Sequence, residues 1–175
     1  KGRLYYLMRL NYAPLTPAKF RDTGFVVNKK FYRVTDKKEI TDLTFKKGET
    51  YVVEISMESR LQRFSVAVND PLPAGFEPVD ENMTAVAETT RLNFTAFNKE
   101  HLTERGWWGT LNYIERFDDH VMLFGDYIEP GTHKYTYLVR ATTAGKYSCP
   151  QTKAEAMYDP EIFGYDGYKS VIITD

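Results

Sequence analysis

The sequence predicts an all-β chain, an antiparallel β-sandwich of macroglobulin or immunoglobulin-like type with one short helical excursion and a helical turn near its end. Three observations carry this. Apolar residues recur with period two wherever a period is visible, as on strands with one buried face. The segments follow one another without intervening helices of about 10–15 residues, which argues against a parallel α/β sheet. Tyr 13, Phe 11 and Trp 2 make aromatics 15% of 175 residues, and aromatic side chains suit a pleated, half-buried surface. A closed barrel is the alternative architecture.

In chain order, Arg3–Leu10 sets Leu4, Tyr6, Met8 and Leu10 on one face. Short strands are expected near Gly24–Val27 and Lys30–Thr35. Tyr51, Val53, Ile55 and Met57 alternate with Val52, Glu54, Ser56 and Glu58, a half-buried strand. Gln62–Asn69 repeats the pattern with Phe64, Val66 and Val68, ending at a turn signal, Asn69-Asp70-Pro71. Alternation stops over Asp80–Gly106, where Asn98–Arg105 reads as a short helix with Asn98 as its cap and Gly106 as its stop. Strands resume near Leu111–Glu115, Val121–Phe124, Lys134–Ala141, Gly145–Cys149 and Ser170–Thr174. Asp159-Pro160 through Gly164 carries the N-cap, first-turn proline and terminal glycine of a helical turn.

Composition excludes several functions. Lys+Arg 23 against Asp+Glu 24 gives a net charge of −1, with no electrostatic footprint for nucleic acid or an anionic membrane. Apolar runs stop at five residues, far below the about 20 needed to insert in a bilayer. The single Cys149 forms no internal disulfide and reads as a small buried hydrophobe. His101, His120 and His133 stand apart, without the spacing that gathers metal ligands, so no metal or cofactor is expected. Asp118-Asp119 reads as a turn entry rather than an acid/base pair, because strand neighbours face opposite ways. No nucleophile elbow, phosphate loop or dinucleotide fingerprint occurs, and the chain is expected not to be an enzyme. Trp107-Trp108 is the best candidate for a sugar-stacking platform. It supports the alternative of a carbohydrate-binding or adhesive module of a secreted or cell-surface protein.

The most specific words are Asp70-Pro71-Leu72-Pro73-Ala74-Gly75-Phe76-Glu77, Asp118-Asp119-His120-Val121, Tyr135-Thr136-Tyr137-Leu138-Val139-Arg140-Ala141, and Ala154-Glu155-Ala156-Met157-Tyr158-Asp159-Pro160-Glu161 with Gly164. In this order, with Leu4-Tyr5-Tyr6 in front, they resemble the C-terminal domain of bacterial α2-macroglobulins across nearly the whole chain. His120 stands where that family more often has Arg, and Cys149-Pro150-Gln151 replaces a Pro-Pro run. The resemblance implies that residues 1–175 are one sandwich domain, the C-terminal fragment of a much larger protein, as the start at Lys1 without Met also suggests. It implies a periplasmic or cell-envelope location, often through a lipid anchor of the parent on the inner membrane. The implied function is that of a non-catalytic scaffold in a broad-spectrum protease trap, an endopeptidase inhibitor. Its partners would be other domains of the parent, above all a thioester-type domain, and proteases captured by the whole molecule. The resemblance further implies that Tyr158, with Met157 and Glu155, meets the thioester domain and that the phenol keeps water from the thioester. The thioester motif Cys-x-Glu-Gln itself is absent from the chain.

Overall fold

Thirteen strands and one helix account for the regular structure of a computed structural model that describes residues 2–10, 19–83, 86–102, 111 and 113–175. In chain order they are β1 (Arg21–Asp22), β2 (Phe25–Arg33), β3 (Thr44–Lys46), β4 (Thr50–Ser59), β5 (Arg63–Pro71), β6 (Phe76–Val79) and α1 (Glu88–His101). There follow β7 (Tyr113–Arg116), β8 (His120–Ile128), β9 (Gly131–Ala141), β10 (Gly145–Cys149), β11 (Lys153–Ala156), β12 (Asp159–Tyr165) and β13 (Lys169–Thr174). A six-stranded sheet runs β1-β12-β11-β5-β8-β7, a four-stranded sheet β2-β4-β9-β6 and a three-stranded sheet β10-β13-β3. Only the β13–β3 pairing is parallel among those described.

The core lies between the sheets. Phe31, Val53 and Tyr137 form one inward row across β2, β4 and β9, and face Val66 and Val68 of β5, Leu123 of β8 and Ala154 of β11 in one buried cluster. Val171 and Ile173 of β13 and Cys149 of β10 close it. The expected alternation holds on β4: Tyr51, Val53, Ile55 and Met57 are all in this core. The opposite face is open at Glu58 but covered at Val52, where α1 lies on it. Phe94 and Phe97, three residues apart and so on one helix face, pack on Tyr32, Val52 and Leu138. Burial of that face stabilises a helix whose Thr and Asn content gives it little intrinsic propensity.

Several expectations are corrected. The segments read as Gly24–Val27 and Lys30–Thr35 are one strand, β2. The helix begins at Glu88, ten residues before Asn98, which is no cap but a buried helical residue whose Oδ1 accepts a hydrogen bond from Thr136 Oγ1 at 2.6 Å. Asn69-Asp70-Pro71 is not a turn: β5 runs through it, Asp70 opposite Val121 and Pro71 opposite His120. Phe64 does not share the buried face of Val66 and Val68; Ser65 between them has φ 51°, and Phe64 is exposed. Asp159–Gly164 is strand rather than helical turn. Pairing with β11 at Asp159, Phe163, Gly164 and Tyr165 holds the segment extended, and Pro160, which has no N–H, lies where β1 does not reach, since β1 pairs only with Gly164 and Tyr165. Gly164 is required there: a Cβ would lie 1.9 Å from the Phe25 carbonyl oxygen. Arg3–Leu10 is not a strand, and residues 2–10 are all exposed. Arg105, Gly106 and Trp107-Trp108 lie outside the described residues.

Candidate functional site

Tyr158 and Met157 form the two-residue loop of the β11–β12 hairpin, closed by the Ala156–Asp159 pair. Neither has positive φ, so the turn is of the ordinary hand rather than the primed types that match strand twist. Between the Glu155–Phe163 and Ala156–Asp159 pairs the register passes over Pro160, Glu161 and Ile162, an irregular bulge on β12. The Met157 N–H donates to Ser65 O at 2.9 Å, which ties the loop to β5. Tyr158 is 86% exposed and Met157 52%. Glu155 sits half-buried on the outward face of β11, its carboxylate paired with Lys153 on the same strand. The three predicted residues therefore lie at one end of one hairpin, with only the phenol and the thioether standing free of the sheet.

The base of this hairpin is held in a different environment. Thr152 immediately precedes β11 and Asp166 immediately follows β12. The Thr152 N–H donates to Asp166 Oδ1 at 2.7 Å, and the Asp166 N–H donates to Thr152 O at 3.1 Å. Thr152 Oγ1 donates to Asp70 Oδ1 at 2.6 Å, the oxygen that also receives Lys29 Nζ at 2.7 Å. Tyr137 donates its hydroxyl to the other Asp70 oxygen. Lys169 Nζ bridges Asp166 Oδ2 at 2.9 Å and Lys29 O at 2.7 Å. The side chains of Lys29 and Asp70 are both 0% exposed. One buried polar cluster thus links the four-stranded sheet, through Lys29 and Tyr137, to the six-stranded sheet, through Asp70, and fixes both strands of the hairpin at its base. With about 3.4 Å per strand residue, its tip stands roughly 14 Å from this clamp.

Burial drives the Lys29 ammonium toward its neutral form, but the surrounding groups, Asp70 foremost and Asp166 among them, together outweigh it and the pKa is raised. Burial, reinforced by Asp70, raises Tyr137 well above the ordinary phenol range. Burial raises Asp166 against the pull of Lys169, and chiefly burial raises the Cys149 thiol. The thiol is protonated and 1% exposed, a packing residue as the sequence suggested. The carboxylate and the lysine are satisfied by each other and by hydroxyl donors, an arrangement that fixes geometry rather than activating a nucleophile.

The histidines are apart. His101 stacks on Phe97, His120 stacks on Phe117, and His133 lies beside Glu129 O at 2.8 Å. Among the described residues no three His, Cys, Asp or Glu side chains gather as a metal site. Asp118 and Asp119 lie in the bend between β7 and β8, where Asp119 accepts from His120. No described helix is long and apolar enough to cross a membrane.

Sequence reasoning missed Lys29, Thr152 and Asp166. A signal for Lys29 was present. Phe25, Val27, Lys29 and Phe31 share one phase of β2, so a cation in an otherwise apolar phase called for a buried anion. Nothing local marked Thr152 or Asp166, whose partners come from distant strands.

The family model for the bacterial alpha-2-macroglobulin MG10 domain matches residues 24–161. The chain belongs to that family. The MG10 chain is 32% identical over 174 residues to the alpha-2-macroglobulin of Rickettsia conorii, covering 98% of the chain and 8% of the relative. It is 26% identical over 185 residues to an alpha-2-macroglobulin homolog of Nostoc sp., covering 99% of the chain and 9% of the relative. It thus spans less than a tenth of the length of these relatives. Among solved structures, Escherichia coli alpha-2-macroglobulin activated by porcine elastase superposes with a TM-score of 0.78 at 21% identity, over 93% of this chain and 14% of that one. At that identity the likeness speaks for the sandwich alone. The words Asp70 to Phe76 now have a physical reading within MG10: Asp70 anchors the clamp, Phe76 is core, and a Cβ on Gly75 would lie 2.5 Å from the Tyr147 ring and 3.0 Å from Thr143 O.

Proposed function

We propose that this MG10 domain is a non-catalytic scaffold and contact surface within a protease-trapping alpha-2-macroglobulin. In this reading residues 1–175 are a fragment of a much larger protein in the periplasm or cell envelope, where proteases are met by the whole molecule. The β11–β12 tip contacts a thioester-type domain, and Tyr158 covers the thioester. The observation that carries this is an almost wholly exposed Tyr158 on a hairpin whose base is locked in the core. An unsupported aromatic side chain gains by burial against another surface, and a rigid stalk holds it in one place to be met. A phenol suits the role, since its ring excludes water from an electrophile while its hydroxyl keeps a hydrogen bond. The activation of the E. coli relative by a protease supports the trap setting. Met157 adds apolar cover beside the ring, and Glu155 lies at the edge of the same contact.

The test is made in the full-length parent. Tyr158→Ala is expected to speed loss of the thioester to methylamine several-fold while leaving MG10 folded. An unchanged rate overturns the shielding role.

A further inference from the structure

Phe64 and Tyr127 are turned out of the core by a break that runs across two strands. Val66 of β5 pairs with Gly125 of β8, and both are buried. Residues two apart on a strand share a face, so the next pair on that face, Phe64 and Tyr127, is expected in the core. Both are exposed instead, at 61% and 38%, while Ile128, one residue on, is fully buried. The pairing passes over Ser65 and Asp126. Ser65 has φ 51°, a left-handed conformation that is costly for a residue other than glycine and is kept only where the surroundings impose it. The break reverses the faces of both strands at once and leaves the two rings in contact, with centroids 5.4 Å apart.

The same residue ties this pair to the hairpin tip. Ser65 O accepts the Met157 N–H, and β11 and β8 flank β5 on its two sides, so the backbones of Phe64, Tyr127 and Met157 fall within two strand spacings, about 10 Å. Phe64, Tyr127, Met157 and Tyr158 thus expose four large apolar side chains at one end of the sheet. Exposed carboxylates flank them: Asp126 precedes Tyr127, and Asp159 and Glu161 follow the tip. None of the three is in an ion pair among the described residues, whereas Arg60 is taken by Asp22 and Arg63 is half-buried. An apolar centre with an acidic rim fits a surface that presents an apolar centre with Lys or Arg around it. More than nine-tenths of the Rickettsia and Nostoc relatives lies outside the stretch that this chain matches, and a parent of that length carries the partner in its own polypeptide.

We infer that Phe64 and Tyr127, set outward by the Ser65 break, are a second anchor for the domain that meets the Tyr158 tip, and that the carboxylates of Asp126, Asp159 and Glu161 steer a basic rim of that domain onto them. The inference rests on the reading that Tyr158 contacts another domain of a longer alpha-2-macroglobulin. It adds the side chains that hold that domain in place, apart from the phenol that covers the thioester.

Hydroxyl-radical footprinting of the full-length parent tests it, with Tyr113 and Tyr168 as internal standards, since they are 56% and 43% exposed. Phe64 and Tyr127 are expected to react at least about tenfold more slowly than the faster standard at low salt, with the protection weakening as salt screens the rim. Phe64→Ser with Tyr127→Ser should raise the reaction of Tyr158 several-fold, amide exchange of β4 and β9 staying unchanged, whereas Phe64→Leu with Tyr127→Phe should leave Tyr158 protected. Asp126→Lys with Glu161→Lys, both at exposed positions, should also uncover Tyr158, and decides alone if the serine variant loses β4 and β9 protection. Reaction of Phe64 and Tyr127 at the rate of the standards overturns the inference. So does a Tyr158 that stays protected in the folded serine variant or in the lysine variant, or protection that grows with protein concentration, which would make the partner a second copy. The methylamine rate of Tyr158→Ala reports on the thioester alone, so the shielding role and this anchor can fail separately.

Discussion

The two ends of the β11–β12 hairpin lie in opposite environments. At its base, Thr152 and Asp166 are buried with Asp70 and Lys29 in a cluster that joins two sheets. At its tip, a few residues away, Tyr158 stands in solvent. The contrast separates what holds MG10 together from what it can offer to a partner. Charges at the base are costly to bury and are retained only because each is matched by a partner. The phenol at the tip contributes almost nothing to the isolated fold, so its placement is free to serve a contact.

Breaking the base should have the largest effect. Lys29→Met leaves the Asp70 carboxylate buried with only the hydroxyls of Tyr137 and Thr152, and should destabilise the domain by about 3–5 kcal/mol in urea unfolding. Adding Asp70→Leu to the same chain should recover part of that loss, because the uncompensated charge is gone. A single-variant loss below about 1 kcal/mol would show that the cluster is not the clamp described here.

Titration probes the same interaction more gradually. Lys29 and Tyr137 both have raised pKa values in the fold, against about 10.4 and 10 when unfolded. A raised folded value means the protonated form is favoured by folding, so the stabilisation is complete below about pH 10 and is lost as pH climbs through the folded values. Stability followed by circular dichroism should therefore fall in the alkaline range, and the Lys29→Met, Asp70→Leu pair should shallow that fall. A stability profile that is flat above pH 10 in the unaltered chain would count against the arrangement.

The smallest effect is expected at the tip. Tyr158→Ala should change the stability of the 175-residue chain by no more than about 0.5 kcal/mol, the usual range for an exposed substitution. A loss several times larger would mean that the ring already packs within MG10, and the contrast between base and tip would be lost.

The two outer sheet faces repeat the lesson on a larger scale. Val52 and Leu138 on the four-stranded sheet are buried by α1. On the six-stranded sheet, Tyr113, Phe124, Ala67, Glu155 and Phe163 form one outward row across five strands, in which Tyr113 remains exposed. The alternation of β4 showed that Val52 and Tyr51 face opposite ways, but not that a helix some forty residues later would cover one of them.

The hairpin tip was named by the resemblance alone. The resemblance singled out Glu155, Met157 and Tyr158, and they lie together. The turn chemistry of the next residues was misleading, since Asp-Pro-x-x-x-Gly fits a helical turn locally, whereas the pairing that extends the segment comes from β11 and β1. Lys29 sat in the gap between two short predicted strands, and joining them would have exposed it as a buried cation. Thr152 and Asp166 had no such mark.

What the sequence determined by itself is the set of strands with strong alternation and the β-sandwich class, because side-chain period and turn chemistry act over a few neighbouring positions. Tertiary structure decided which face of β4 meets a helix, that β12 is extended, that Asp70 and Lys29 satisfy one another across 41 residues, and that Leu4 to Leu10 finds no sheet here. Each of these depends on a partner distant in the chain. A buried charge or an apolar strand states that it needs a partner, and only the packed fold names which one, or leaves the place empty.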